Sequence, residues 1–270
     1  QTGPYAPRAG YDYLPLGLGG IMCLTGEPDG EPMKVGVGIA DVMCGMYATN
    51  AILAALHYHT RTGRGQYIDL ALLDAQVAWL VNEGLNYLTS GQVPRRLGNE
   101  HANIVPYKVL PCADGYFILA VGNDRQFRRF CEFAGALELA DDARFATNSN
   151  RVANRQALYA LIEELTPRKT LDEWVEGLSA LGVPSGAVNT LDRVFQDPQI
   201  LHREMKVTMP YPDSQDGTIK VIGNPVKFSE TKVAYNRPPP RLGQHTDEIL
   251  EELLEMGPEA IAALRETGAI

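Results

Sequence analysis

The stretch Gly36-Val37-Gly38-Ile39-Ala40-Asp41 leads directly into Val42–Thr60, the longest run of the chain without Asp, Glu, Lys or Arg. Glycines stand on both sides, Gly36 and Gly38 before it, Gly63 and Gly65 after it. The pattern predicts one long helix over about 41–60, begun at Asp41 and ended by the glycines. The run is long enough to raise a membrane span. Gly45, Thr49, Asn50, His57 and His59 interrupt it, however, which favours a buried core helix.

Working outward, residues 1–40 are rich in glycine and read as loops and short turns. After the helix, Gln66–Leu70 alternates and predicts a short strand, and a second helix follows over about 71–89. The chain is loop-like through Pro106. A smaller α/β unit comes next, with a buried strand Tyr116–Val121 and helices near 124–134, 151–165 and 171–181. The last begins with the capping-box sequence Thr170-Leu171-Asp172-Glu173. Pro184 to Gly186 reads as a turn, and a short helix over about 190–196 ends at Asp197-Pro198. Residues 206–235 read as hairpin material around Asp216-Gly217. Pro238-Pro239-Pro240 spaces it from two final helices, about 246–256 and 258–267. The fold class is α/β, with a domain change near 95 and another near 205.

Composition narrows the function classes. At 270 residues, with 45% apolar and 21% charged residues, the chain is an ordinary globular one. Its net charge, 24 − 33 = −9, argues against a general nucleic-acid partner. Four scattered cysteines without C-x-x-C spacing read as reduced thiols. Dinucleotide, P-loop and zincin motifs do not occur, and His57 and His59, two apart, make a poor metal pair.

Asp41 is the most informative single position. A carboxylate at a helix start stays ionised beside free amides and the positive dipole end, as a carboxylate nucleophile requires. A plain helix cap is the commoner role there, and position alone favours it. Arg95-Arg96-Leu97-Gly98-Asn99-Glu100-His101 reads either as a mobile glycine loop that closes over a substrate or as an interdomain linker. Arg8-Ala9-Gly10-Tyr11-Asp12 reads as polar groups beside a pocket or as a surface turn.

Taken with Arg61-Thr62-Gly63-Arg64-Gly65-Gln66, Gly182-Val183-Pro184 and Leu242-Gly243-Gln244-His245-Thr246-Asp247, these segments resemble the class III CoA-transferase family. That group includes formyl-CoA transferase, carnitine CoA-transferase and acyl-CoA racemase. The order and spacing match along the whole chain, beginning with Gln1-Thr2-Gly3-Pro4-Tyr5. Gly98-Asn99-Glu100-His101 leading into Ile104-Val105-Pro106-Tyr107, and Arg237-Pro238-Pro239-Pro240, are most similar to the succinyl-CoA:glutarate CoA-transferase branch.

The resemblance implies that Asp41 is the family aspartate, which attacks an acyl-CoA thioester and passes through an acyl anhydride and an aspartyl-CoA thioester. It implies substrate or CoA contacts from Arg8, Tyr11, Arg95, Gly98, Asn99 and His101. Tyr11 stands where the racemase branch has a His base, and a Tyr with an ordinary pKa near 10 is a poor base at neutral pH. CoA transfer between short dicarboxylic acids is therefore expected, with an α-methylacyl-CoA racemase or an inactive acyl-CoA-binding piece as alternatives. The loop at Gly98 occupies the place of a glycine-rich flap without that flap's run of glycines. Residues 1–92 match part of a large Rossmann-like domain whose first half is expected before Gln1, 93–205 its small α/β domain, and 206–270 a linker and a return to the large domain. The resemblance further implies an interlocked homodimer, an acyl-CoA and a small carboxylic acid as partners, and no metal, nicotinamide or flavin. No membrane is expected, and the location is cytoplasmic, or the matrix in a mitochondrion.

Overall fold

The helix expected after Gly38 forms, and it begins two residues earlier than the charge pattern predicts. A computed structural model describes residues 2–270, so Gln1, which opens the first matching stretch, lies outside it. The described residues divide into one unit that runs to Val188 and a second spanning Asn189–Ile270.

The first unit opens with α1 (Tyr13–Leu18), α2 (Ile21–Leu24), α3 (Ile39–Thr62), α4 (Leu72–Ala78) and α5 (Val81–Ser90). Gly63 ends α3 at φ 71°, its N–H donating to His59 O, a left-handed stop that glycine adopts without strain. Helices α1, α3 and α4 pack together and bury Leu16, Ala40 and Ala75. Little else of α3 is covered. Val42, Met46, Ile52, Leu53 and Leu56 are each more than half exposed, so the expectation of a buried core helix fails for this chain. The physical reason is that α3 is apolar all round, whereas α1 and α4 touch only a small part of it. By length and composition alone, α3 is also apolar enough to cross a membrane.

Two further expectations change here. Gln66–Leu70 is exposed coil: alternation makes a strand only where a neighbour completes the ladder. The helix expected over 71–89 is two helices, broken at Trp79-Leu80 where Val81 takes φ 40°.

Beyond them an antiparallel sheet of β1 (Tyr107–Pro111), β2 (Tyr116–Ala120) and β3 (Ser185–Ala187) runs in the order β1-β2-β3. Leu110 faces Phe117, and Phe117 faces Ala187 across the ladders. On β2, Phe117 and Leu119 are buried while Tyr116 and Ile118 are exposed, so this strand is buried on one face only. The sequence pattern assigns no element to Tyr107–Pro111 and reads Pro184 to Gly186 as a turn. Both are short, and each is defined by its partner more than by its own residues.

Helices α6 (Asp124–Ala134), α7 (Glu138–Asp141), α8 (Asn148–Ala153), α9 (Arg155–Leu165) and α10 (Leu171–Ala180) complete the unit. The single helix expected over 151–165 is α8 and α9, separated at Asn154. Asn123 caps α6 by accepting from Gln126 N at 3.0 Å. The capping box at Thr170 forms, Thr170 N donating to Glu173 Oε2 at 2.7 Å and Glu173 N to Thr170 Oγ1 at 3.3 Å. The buried core of this unit lies within residues 105–187. Its centre is Trp174, stacked on Phe117 at 5.3 Å between ring centroids and edge-on to Phe133 at 5.5 Å. The indole N–H donates to Thr166 O at 2.8 Å, so the burial leaves no orphan donor there.

The second unit contains α11 (Leu191–Val194), α12 (Pro198–His202), β4 (Lys206–Pro210), β5 (Thr218–Ile222), α13 (Thr246–Leu254) and α14 (Pro258–Glu266). Asp197 caps α12, accepting from Gln199 N and Ile200 N at 2.8 and 3.1 Å. The hairpin expected around Asp216-Gly217 forms, β4 antiparallel to β5, with Gly217 at φ 69°.

Candidate active site

The N-terminus of α3 is built by two segments. Gly38 is the N-cap and has no side chain to offer the first-turn amides. Asp12, just before α1, supplies the acceptor: its Oδ1 takes the amide of Ala40 at 2.9 Å and that of Asp41 at 3.3 Å. Asp41 lies inside the first turn, three residues past the N-cap. The reading of Asp41 as the helix cap is therefore corrected, because the capping carboxylate belongs to Asp12. The Asp41 side chain is exposed and makes no hydrogen bond or ion pair among the described residues. Its position in the first turn keeps the positive end of the helix beside it.

Tyr11 adjoins Asp12 and is largely exposed, its carbonyl accepting from Leu14 N at 2.9 Å. Asp12 thus ties the Tyr11 segment to the turn that carries Asp41. Arg8 lies close by in sequence, its guanidinium 3.7 Å from the centre of the Tyr5 ring.

A second group surrounds a cavity of about 300 Å³ lined by Arg95, Gly98, Glu100, His101 and Asn103, with Leu24 and Asn82 opposite in sequence. Asn99 is exposed and is not among the lining residues, nor are Asp41, Tyr11 and Arg8. Arg95 is exposed and has no hydrogen-bond or ion-pair partner among the described residues. Its neighbour Arg96 is fully engaged, donating to Glu27 O at 3.0 Å and Gly30 O at 2.6 Å. Two larger cavities, about 350 and 410 Å³, lie in the second unit and hold none of the candidate residues.

The loop at Gly98 is held by hydrogen bonds and ion pairs to residues distant in sequence. It lies within the first unit and is tied at both ends. Gly98, at φ 58°, donates its amide to Gly26 O at 3.1 Å, and His101 N donates to Tyr107 O at 3.0 Å. Arg155, 55 residues on from Glu100, ion-pairs with it at 3.2 Å and donates to Ala102 O at 2.5 Å. Lys108 reaches Glu163 at 2.9 Å and Glu100 at 3.5 Å. Burial alone would lower the Lys108 pKa, but these carboxylates outweigh it and hold the ammonium above its ordinary value. His101 Nδ1 accepts the amide of Asn103 at 3.1 Å, which leaves the proton of the neutral ring on Nε2. Sequence reading missed Asp12 as the cap and Arg155 as the tie. The only local hint of the first is an N-cap that is a glycine; nothing local points to the second.

Among the described residues, no group of three or more His, Cys, Asp or Glu side chains could hold a metal ion. The arrangement is that of a free carboxylate on a helix start capped by Asp12, with a separate cavity bordered by a free guanidinium.

This is an α/β chain with an unpaired aspartate in the first turn of a long helix. The chain belongs to CoA-transferase family III, whose model matches residues 1–246. A succinate–glutarate CoA-transferase of Agrobacterium fabrum is 47% identical over 254 residues, 94% of this chain and 63% of that protein. The human succinyl-CoA:glutarate CoA-transferase is 38% identical over 270 residues, 100% of this chain and 61% of the human protein. This chain therefore spans about three fifths of the length of these curated relatives. Among solved structures, a CaiB/BaiF family protein from Brucella suis superimposes with a TM-score of 0.83 at 48% identity, covering 93% of this chain and 65% of that one.

Proposed function

We propose that this chain is the catalytic-aspartate part of a CoA-transferase that moves CoA between short dicarboxylic acids, with succinyl-CoA as donor and glutarate or a close relative as acceptor. The observation that carries the reading is the Asp41 carboxylate, which has no internal partner although it lies in a helix turn whose own amides are capped from elsewhere. The names of the relatives in Agrobacterium fabrum and human support the substrate class.

In the reaction an Asp41 oxygen attacks the thioester carbonyl, the C–S bond breaks, and an acyl-aspartyl anhydride and CoA thiolate form. The thiolate attacks the aspartyl carbonyl, releases the donor acid as its carboxylate and leaves an aspartyl-CoA thioester. The acceptor carboxylate then attacks that thioester, and the same states run in reverse to give the new acyl-CoA and free Asp41. No net proton is taken up, and neither a metal nor a redox cofactor enters the balance.

Arg95 is the proposed receptor for the second carboxylate of the acid, because it borders the 300 Å³ cavity unpaired. Arg96 is excluded from that role by its two backbone acceptors. Gly98 and His101 line the same cavity, whereas Arg8, Tyr11 and Asn99 are proposed as contacts to the CoA thioester. The exposed apolar surface of α3 supports an interlocked homodimer in which protein, not lipid, covers that helix. We further propose the partition 1–92, 93–205 and 206–270 for the native dimer, and a cytoplasmic or matrix location.

The test incubates the intact protein with succinyl-CoA and measures mass, then turnover over a panel of acceptor acids. A CoA-sized adduct on the Asp41 peptide, released by hydroxylamine and absent from Asp41→Asn, is expected. Exchange of an α-deuterium without acceptor-dependent transfer would favour the racemase reading. Acyl-CoA binding without turnover would favour an inactive binding protein.

A further inference from the structure

Asp12 and Asp41 stand 29 residues apart in the chain, and the first holds the turn that carries the second. With Gly38 as N-cap, the amides of Ala40 and Asp41 have no local side-chain acceptor. Asp12 Oδ1 takes both, at 2.9 and 3.3 Å, and Ala40 beside them is buried.

The geometry points to Asp12 as the positioning residue for Asp41, a role that rests on reading Asp41 as the nucleophile. Two amides of one turn bound to one oxygen restrict where the Asp41 Cα–Cβ bond starts. Because that acceptor comes from outside the helix, the Asp41 oxygens are not spent on capping their own turn, as an acid in this position can be. The same contact holds Tyr11 next to the turn. Acyl transfer needs the attacking oxygen and thioester carbon in line at near-contact distance, and misplacement by about 1 Å can cost about 10²-fold in rate.

The experiment compares Asp12→Ala and Asp12→Asn with wild type in the intact protein, well below the melting temperature of each. Hydrogen exchange is followed on the peptide holding Ala40 and Asp41, together with kcat, acyl-CoA KM and the rate of adduct formation on Asp41. Asp12→Ala is expected to speed exchange there and to lower kcat and adduct formation by about 10²-fold, with KM changed by less than about threefold. Asp12→Asn, which keeps an acceptor oxygen, is expected to restore most of both. Faster exchange in Asp12→Ala with wild-type kcat and adduct rate would overturn the inference, because the contact would then be structural only. Equal losses in Asp12→Asn and Asp12→Ala would overturn it as well, since an acceptor would not be what matters. A wild-type enzyme that transfers CoA without an Asp41 adduct would instead refute the nucleophile itself, and the positioning role with it.

Discussion

Replacing Arg151 by methionine tests how the small α/β core supports the loop beside the cavity. Arg151 is fully buried, a rare environment for a charged side chain. Its Nε donates to Val105 O at 2.6 Å, one terminal nitrogen to Phe145 O at 2.9 Å, and the other to Asp124 Oδ1 at 2.8 Å. Its guanidinium lies 4.5 Å from the centre of the Phe127 ring. Methionine fills a similar volume but donates nothing. The two carbonyls lose their partner in a dry site, at about 1–3 kcal/mol each. Asp124 is more than half exposed and regains water at little cost. Relief of the buried charge offsets part of the loss, which leaves about 3 kcal/mol, at the low end for removing one side of a buried pair. For a unit of this size, that lowers Tm by roughly 6–12 °C. Trp79 and Trp174, the two tryptophans, both lie in the first unit, so intrinsic fluorescence follows its unfolding. Arg151→Lys is expected to fall nearly as far, because one ammonium cannot span three acceptors. A Tm within about 2 °C of wild type for Arg151→Met would refute this accounting.

Asp41→Ala removes no cap and is expected to cost less than about 0.5 kcal/mol, whereas Asp12→Ala costs about 1 kcal/mol, as thermal melts will report. Hydrogen bonding from the Thr170 backbone amide, with its hydroxyl second, holds the Glu173 carboxyl below its ordinary 4.5. A carboxyl lowered on folding stabilises above its unfolded value and loses that contribution as pH falls through its folded value. The acid limb of a Tm–pH curve is therefore expected to be shallower in Glu173→Gln. Gly26 sits at φ 121°, and a Cβ there would lie 2.6 Å from Glu31 O, so Gly26→Ala is expected to cost more than about 1 kcal/mol and to speed exchange at the Gly98 amide it accepts. Burial pushes the Cys131 thiol up to about 12, and Cys23 is exposed, so a thiol reagent at pH 8 is expected to label Cys23 and to spare Cys131 until unfolding.

What was legible in the sequence was local. The long helix and its glycine stop, the Thr170 capping box and the Gly217 hairpin each depend on residues within a few positions of one another, so their spacing carries them. Whole-chain resemblance pointed to the same family that the relatives and the superposition support, and to Asp41 as the residue to test. Tertiary structure decided everything that depends on a distant partner. Gln66–Leu70 alternates like a strand but has no neighbour, while the stretch at Pro184 to Gly186 reads as a turn and yields the strand β3 because β2 pairs with it. The cap of α3 comes from Asp12, 28 residues before Ala40, and the ties on the Gly98 loop come from Gly26 and Arg155. A hydrogen bond needs only that donor and acceptor meet in space, and a linear pattern carries no distance between Asp12 and Ala40 until the chain has folded.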